Sequence, residues 1–225
     1  MNAYFILIIV IGLAGIIVQS RMQSVFKKYS REPFAGGMTG REVAEKMLYD
    51  NGINDVKVVP TRGSLTDFYD PRKRTVNLSE AVYNSNSVAA AAVAAHECGH
   101  AVQHAFGYAP LSLRSSLVPF ITLTSSWAVW VVIVGLMLIN TFPAIFWVGI
   151  AMIALSAIFS VITLPVEYNA SSRALAWLDR SGMLNQTQME GAKEALQWAA
   201  RTYLVAAISA IAVLFYYVGL GSRRN

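Results

Sequence analysis

Long apolar segments without a charged residue constrain this chain more than any other feature. Residues 117–139 and 142–164 are two uncharged runs of spanning length, and residues 202–220 are a third. A helix of about 20 such residues crosses a hydrocarbon core about 30 Å thick. With 55% hydrophobic and only 14% charged residues, the chain is predicted to be an integral membrane protein in which residues 117–164 form a transmembrane hairpin.

A fourth apolar run occupies residues 3–18. It has no basic region before it and no small-residue cleavage pattern before Arg21, so it is predicted to be an uncleaved anchor. Four spans place both ends of the chain on one side of the membrane. Of the 18 Lys and Arg residues, all but Arg223 and Arg224 fall in segments 19–116 and 165–201, which the positive-inside rule places in the cytoplasm.

His96, Glu97 and His100 form an H-E-x-x-H motif in an alanine-rich run. Alanine is the strongest helix former, so the run is predicted to be helical. Residues four apart share a helix face, so both imidazoles can reach one cation at the zinc–nitrogen distance of about 2.0–2.1 Å. Glu97 lies one step around the helix, where it can take a proton from an activated water. The motif predicts a zinc hydrolase.

A catalytic zinc takes three protein ligands and keeps one position open. His104 lies one turn beyond His100, and three successive turns of a straight helix span too far for one metal. Cys98 points about 200° away from the histidine face and is predicted to be a packing residue. Glu167 stands out because it follows an apolar run and has small residues on its helical face, which would allow close approach to Gly99. The alternative carboxylates are Asp67, Asp70 and Glu80.

Three stretches of the sequence resemble the YugP-type neutral zinc metallopeptidases of bacterial membranes, and the likeness spans nearly the whole chain. It extends more distantly to HtpX-type and CAAX-prenyl membrane peptidases, whose third zinc ligand is the Glu of an E-x-x-x-D motif on a later helix. Carried over, that ligand is Glu167, and Ser171 replaces the Asp, which in that group braces a ligand histidine. A serine hydroxyl can accept the same hydrogen bond without a charge. The stretches are His96-Glu97-Cys98-Gly99-His100-Ala101-Val102-Gln103, Leu65-Thr66-Asp67-Phe68-Tyr69-Asp70-Pro71 and Glu167-Tyr168-Asn169-Ala170-Ser171-Ser172-Arg173.

Motif and resemblance together predict a membrane-embedded zinc endopeptidase. One Zn²⁺ per chain would be held by His96, His100 and Glu167, with Glu97 as the general base. Its substrates would be peptides or membrane proteins reached from the cytoplasmic face of a bacterial plasma membrane. Residues expected to supply an oxyanion donor, to brace a ligand or to contact a substrate carbonyl are Tyr168, Asn169, Ser171 and Arg173.

Other classes of function fit the sequence less well. An inactive zinc-binding membrane scaffold would have no need of Glu97, which ligates nothing. A channel or carrier usually has charged groups in its spans, and the apolar runs contain no Asp, Glu, Lys or Arg. The basic residues come without a base-reading motif, so the lipid bilayer rather than nucleic acid is their predicted partner. The single cysteine excludes an intramolecular disulfide and fits a reducing compartment.

The fold class predicted is a mainly α membrane protein, with about four transmembrane helices and a cytoplasmic zincin-like α+β unit. The segments expected are an N-terminal anchor (1–20), a cytoplasmic unit with a small sheet and the H-E-x-x-H helix (21–116), a transmembrane hairpin (117–164), cytoplasmic helices with the third zinc ligand (165–201), and a C-terminal transmembrane helix and tail (202–225).

Local patterns predict the smaller elements. Thr39 and Glu42 have the spacing of a capping box, so a helix should begin there and end near Gly52. Strands are predicted over 56–59, 65–69 and 75–78, and metallopeptidases of this kind commonly hold an extended substrate against an edge strand. Farther along, a helix is expected from Pro165 to about residue 181, and a second capping box at Thr187 and Glu190 is expected to begin another.

Overall fold

The computed structural model describes residues 3–34 and 36–222, and it is mainly helical with one small sheet. Arg223 and Arg224, the two basic residues predicted to lie outside the cytoplasmic segments, and the predicted tail at 223–225 fall outside the described residues. The elements in chain order are α1 (Ala3–Tyr29), α2 (Gly40–Asp50), β1 (Lys57–Thr61), β2 (Phe68–Asp70), β3 (Thr75–Ser79), α3 (Glu80–Tyr83), α4 (Val88–Ala105), α5 (Ala109–Met137), α6 (Pro143–Ser181) and α7 (Gln186–Ser222).

Within the described residues, four helices are long and apolar enough to cross a membrane, namely α1, α5, α6 and α7. This confirms the four predicted spans by length and composition. The prediction of a separate helix starting at Pro165 is wrong, because Pro165 lies inside the continuous helix α6. A proline removes one backbone donor, and a long apolar helix can absorb that loss without ending.

The predicted capping box at the start of α2 is confirmed. The Thr39 side chain accepts a hydrogen bond from the Glu42 backbone N–H, and the Glu42 carboxylate accepts one from the Thr39 N–H at 2.7 Å. Two backbone donors that the first helical turn leaves unpaired are therefore satisfied reciprocally. After the helix, Gly52 turns the chain with φ +70°, a value that favours glycine.

The start of α7 differs from its prediction. The reciprocal bonds join Asn185 and Gln188, two residues before the predicted pair Thr187 and Glu190: Gln188 N–H donates to Asn185 Oδ1 at 2.9 Å, and Asn185 N–H donates to Gln188 Oε1 at 3.2 Å. The side-chain amide oxygens of Asn and Gln are hydrogen-bond acceptors, so this pair forms the same reciprocal bonds as the hydroxyl and carboxylate of the predicted pair. The capping-box pattern therefore predicted the correct helix but placed its N-cap two residues too late.

The chain forms two compact units, the first built from the spanning parts of the four long helices. Its core includes the buried side chains of Val132, Phe146 and Ile150. A Cβ added at Gly135 would lie 2.5 Å from Phe146 N, so α5 and α6 cross with their backbones nearly touching. Small residues at such crossings are typical of membrane helices. Large apolar side chains on the outside of this unit, such as Leu123, Trp127 and Phe215, suit a lipid environment.

The second unit comprises Gln19–Ser112 and Val166–Arg201. Its sheet has the strand order β1-β3-β2, in which β3 pairs parallel with β1 and antiparallel with β2. The two outer strands, β1 and β2, are therefore the edges. Alternate residues of the central strand, Val76 and Leu78, are completely buried in one hydrophobic core with Val43 and Met47 of α2. This core supports one side of α4, the helix that carries the motif.

Strand β2 is shorter than predicted and begins later. Residues 65–67, expected in the strand, belong to a loop in which Gly63 has φ +106° and Leu65 has φ +58°. The loop is fastened by Asp67, whose carboxylate accepts hydrogen bonds from the backbone N–H of Ser79 at 2.7 Å and from its hydroxyl at 3.2 Å. Burial raises the pKa of Asp67, although these two bonds oppose the shift.

Candidate metal centre

Helix α4 carries the H-E-x-x-H motif, as the alanine-rich run predicted. Its N-cap is Ser87, whose hydroxyl accepts a hydrogen bond from Ala90 N–H at 3.2 Å. The alanines that follow are buried on every side, because neighbouring elements cover this helix almost completely. His96 is half-buried, while Glu97 and His100 are 8% and 6% exposed. Side chains this polar need partners at such a depth.

Gly99 is where α6 reaches the motif helix. A Cβ added at Gly99 would lie 2.6 Å from the carbonyl oxygen of Ala170, so only glycine permits this approach. Ala170 and Ala174 on the facing side of α6 are fully buried and equally small. The close approach predicted from these small residues is therefore observed, and it brings Glu167, one turn before Ala170, up to the histidines.

The side chains of His96, His100 and Glu167 converge, and their potential ligand atoms all lie within 4.8 Å of one another. Glu167 Oε2 lies 3.2 Å from His96 Nε2 and 3.6 Å from His100 Nε2. Glu167 is only 1% exposed. Two residues from one helical turn and one residue 67 positions beyond His100 thus form a compact cluster of two nitrogens and one oxygen.

These spacings fit a zinc ion. In tetrahedral coordination with bonds of about 2.0–2.1 Å, neighbouring ligand atoms lie about 3.3–3.4 Å apart. Two of the three separations, 3.2 and 3.6 Å, bracket that value, and all three lie within 4.8 Å. Two imidazoles and one carboxylate are also a donor set that zinc accepts in catalytic sites. The cluster therefore has the composition and the size of a site with three protein ligands.

Ser171 contacts the far side of the first histidine ring, since its Oγ lies 3.1 Å from His96 Nδ1. That is the position at which the resemblance places a carboxylate in related peptidases, and the hydroxyl makes the contact expected of it. With Nδ1 engaged, Nε2 is left to face Glu167. A hydrogen bond of this kind sets the tautomer and the ring orientation of a histidine that binds metal.

Gln103 performs the same task for the second histidine. Its Nε2 donates to the carbonyl oxygen of Val166 at 2.8 Å and to Asn169 Oδ1 at 3.0 Å, which identifies Oε1 as the acceptor for His100 Nδ1–H at 3.0 Å. With Nδ1 held by Gln103, Nε2 of His100 faces the carboxylate of Glu167 at 3.6 Å, which is the ring orientation that a metal ligand needs.

Asn169 and Arg173 extend this hydrogen-bond network along α6. Arg173 Nε donates to Asn169 Oδ1 at 2.8 Å, and the same Oδ1 accepts a hydrogen bond from Gln103 Nε2. Both residues were predicted to brace a ligand or to contact substrate. Asn169 contacts Gln103, the residue that orients His100, and Arg173 contacts Asn169. Tyr168, the other predicted oxyanion donor, is 48% exposed beside Glu167.

Residues considered as alternative ligands have other partners. Tyr69 Oη lies 2.7 Å from His104 Nδ1, and burial raises the pKa of Tyr69 to about 12, so the phenol stays protonated. Cys98 is completely buried, and its Sγ lies 3.5 Å from the Ala44 carbonyl oxygen on the side of α4 away from the cluster. Burial also raises the pKa of its thiol, which disfavours metal binding. Asp70 Oδ1 caps a turn by accepting from the N–H groups of Arg72 and Lys73.

Sequence reasoning missed Gln103 as a functional residue. The available signal was its spacing, because a side chain three residues after His100 lies beside it on a helix. A completely buried glutamine with every polar atom engaged is costly unless it fixes something in place.

Replacement of Gln103 by Leu is expected to lower the affinity for zinc by about 10- to 100-fold, the usual cost of removing a partner that orients a ligand histidine. It should also destabilise the fold by about 1–3 kcal/mol, because His100 Nδ1–H and the Val166 carbonyl lose their buried partner. Titration of the metal-free protein against a fluorescent zinc chelator measures the first effect, and thermal unfolding the second.

Gln103→Glu is the matched variant. It keeps an acceptor for His100 but replaces the donor Nε2 with a carboxylate oxygen that faces two acceptors, the Val166 carbonyl and Asn169 Oδ1. Its zinc affinity should therefore exceed that of Gln103→Leu, while its fold should be less stable than that of the wild type. Equal zinc affinities in all three proteins would contradict an orienting role for Gln103.

Comparison with known proteins agrees with the geometry. Residues 4–221 match the model of a family described as putative neutral zinc metallopeptidase. The chain is also 40% identical over 214 residues to the putative membrane protease YugP of Bacillus subtilis (strain 168), covering 95% of this chain and 94% of that protein. No solved structure matches. The fold and the cluster define a helical protein with membrane-length helices and a potential zinc centre. The chain belongs to the putative neutral zinc metallopeptidase family.

Proposed function

We propose that this protein is a membrane-embedded zinc metalloendopeptidase that hydrolyses peptide bonds in peptides or membrane proteins. The observation that carries the proposal is the convergence of His96, His100 and Glu167 within 4.8 Å, with the buried Glu97 next to His96 in the same helix. Membership of a zinc metallopeptidase family supports the metal and the reaction class. Four apolar helices of spanning length support the membrane.

The residues of the centre take distinct roles. His96, His100 and Glu167 would hold one Zn²⁺ per chain, which supplies a Lewis acid for the scissile carbonyl and lowers the pKa of a water. Glu97 accepts a proton from the attacking water and delivers it to the departing amine, so that one water yields a carboxylate and an amine. Tyr168 or Arg173 donates a hydrogen bond to the developing oxyanion.

The second unit is proposed to be a zincin-like unit in which an extended substrate binds along β2. This strand is a sheet edge, so its outward backbone groups are available for pairing. It also lies beside the motif helix, because Tyr69 of β2 contacts His104, one turn beyond His100. A peptide paired with β2 would therefore run past the metal centre.

The membrane orientation is proposed from charge. The segments that carry the centre hold nearly all the lysines and arginines, so we place them on the cytoplasmic face of a bacterial plasma membrane. The five segments predicted from the sequence, with boundaries at 20, 116, 164 and 201, remain part of this proposal. Peptide and membrane-protein substrates would then be reached from the cytoplasm.

Zinc content and proteolysis measured on one preparation test this function. The full-length protein purified in detergent should contain one zinc per chain and hydrolyse casein, and a chelator should abolish hydrolysis that zinc then restores. Zinc without any hydrolysis would instead indicate an inactive scaffold. A protein that binds no zinc would contradict both functions.

A further inference from the structure

A mainly apolar cavity of about 260 Å³ lies between α6 and α7 in the second unit. Its walls include Tyr168, Ser171 and Leu175 from α6, and Leu196 and Ala200 from α7. Leu196 and Ala200 are 3% and 4% exposed, whereas Tyr168 is 48% exposed. The cavity therefore has a buried apolar end and a more accessible rim.

Ser171 joins this cavity to the metal centre. Ser171 lines the cavity, and its hydroxyl lies 3.1 Å from His96 Nδ1. On α6, Ser171 follows Glu167 by about one helical turn, and Tyr168 is the residue next to Glu167, so the cavity begins within about 5.4 Å of the Glu167 position along the helix axis. An extended peptide advances about 3.3 Å per residue. A substrate bound at the centre would thus bring a side chain to this cavity from one or two residues away from the scissile bond.

The chemistry of the walls selects the occupant. None of the described residues that line the cavity is charged, so burying a lysine or glutamate side chain of a substrate there would carry a large desolvation penalty. A volume of about 260 Å³ accommodates a large side chain such as Leu or Phe. Apolar walls with a few polar groups at the edge are typical of pockets that bind apolar groups.

We propose that this cavity is the specificity pocket of the metal centre and takes a large apolar side chain of the substrate, one or two residues from the cleaved bond. The inference rests on the proposed peptidase function and defines its substrate class: peptide segments with Leu, Phe or a similar residue next to the cleavage site. Such segments are abundant in membrane proteins, which agrees with the proposed substrates.

Peptides that differ at one residue test the pocket. The full-length protein in lipid nanodiscs is given a series with Ala, Leu, Phe, Lys or Glu at one position beside the cleavage site. The wild type should prefer Leu and Phe. Ser172→Phe, at an exposed residue of the cavity wall, should fill the pocket and lower kcat/KM for the Leu and Phe peptides by about 10- to 100-fold, with a much smaller change for Ala.

Two further variants make the comparison specific. Leu175→Ala enlarges the cavity and should shift the preference from Leu toward Phe, which decides the question if Ser172→Phe fails to fold. Ala176→Phe is the matched control, since it adds the same side chain at an exposed position one turn along α6 that does not line the cavity. Its preference should equal that of the wild type.

The outcomes separate the two proposals. Cleavage without a preference for large apolar residues, or the same preference in Ser172→Phe, Leu175→Ala and Ala176→Phe, overturns the pocket and leaves the peptidase function standing. If a lipid acyl chain occupied the cavity in place of a substrate side chain, the result would be cleavage without a preference for large apolar residues. Failure of the wild type to cleave any peptide, with no difference from Glu97→Gln, overturns the peptidase function and the pocket with it.

Discussion

Replacement of Glu97 by Gln is expected to lower the rate of casein hydrolysis by about 10²- to 10⁴-fold, the usual contribution of a general acid–base group. The amide has nearly the same size as the carboxylate but cannot accept the proton of the attacking water. Glu97 is 8% exposed and is not one of the three converging ligand residues, so the variant should still bind one zinc per chain. Rate and zinc content are measured on the same purified sample.

Glu190→Gln is the control for this variant, because it makes the same chemical change at an exposed carboxylate. It should hydrolyse casein at the wild-type rate. Proteolysis retained in Glu97→Gln would show that another group accepts the proton. Loss of zinc together with proteolysis would show instead that Glu97 supports the metal.

The Glu167→Gln variant is expected to lose zinc. A neutral amide is a much poorer zinc ligand than a carboxylate, and the two imidazoles alone leave the ion with two protein ligands. The zinc dissociation constant should rise by more than the roughly 10- to 100-fold typical of losing a residue that only orients a ligand, and proteolysis should disappear with the metal. Competition with a chelating dye measures the dissociation constant.

Two variants bracket this result. Ser171→Ala removes only the contact to His96 Nδ1, so its effect on zinc affinity should stay within that smaller range. Glu80→Gln changes an exposed carboxylate that the sequence left open as a third ligand, and it should bind zinc normally. If Glu80→Gln lost zinc while Glu167→Gln kept it, the proposed ligand set would be wrong.

Much of the centre could be predicted because its signals are local. The spacing of His96 and His100 fixes their shared helix face, and the length of the apolar runs predicts the spans. Glu167 could be singled out because small residues surround it on one face of α6. The position of Glu167 beside the histidines depends on the contact between Gly99 and Ala170. These two residues are far apart in the sequence, so only the structure shows that they meet.

Other features escaped prediction because competing physical effects decide them. The loop before β2 takes two positive φ values, at Gly63 and Leu65, and the buried bonds of Asp67 to Ser79 hold it there, whereas the pattern of residue types favoured a strand. Pro165 is a helix starter by local preference, yet it lies inside α6. The role of Gln103 follows from bonds to Val166 and Asn169, which are distant in sequence.

The contact of Gly99 with the Ala170 backbone has a consequence for metal loading. A main-chain contact, rather than flexible side chains, sets the distance between the two ligand-bearing helices, so the backbone positions of the three ligand residues are set before an ion binds. Capture of zinc should then cost little ordering entropy, and its removal should leave helicity almost unchanged, in contrast to small domains that fold only around their metal. Zinc should therefore be removable and replaceable without unfolding of the two helices.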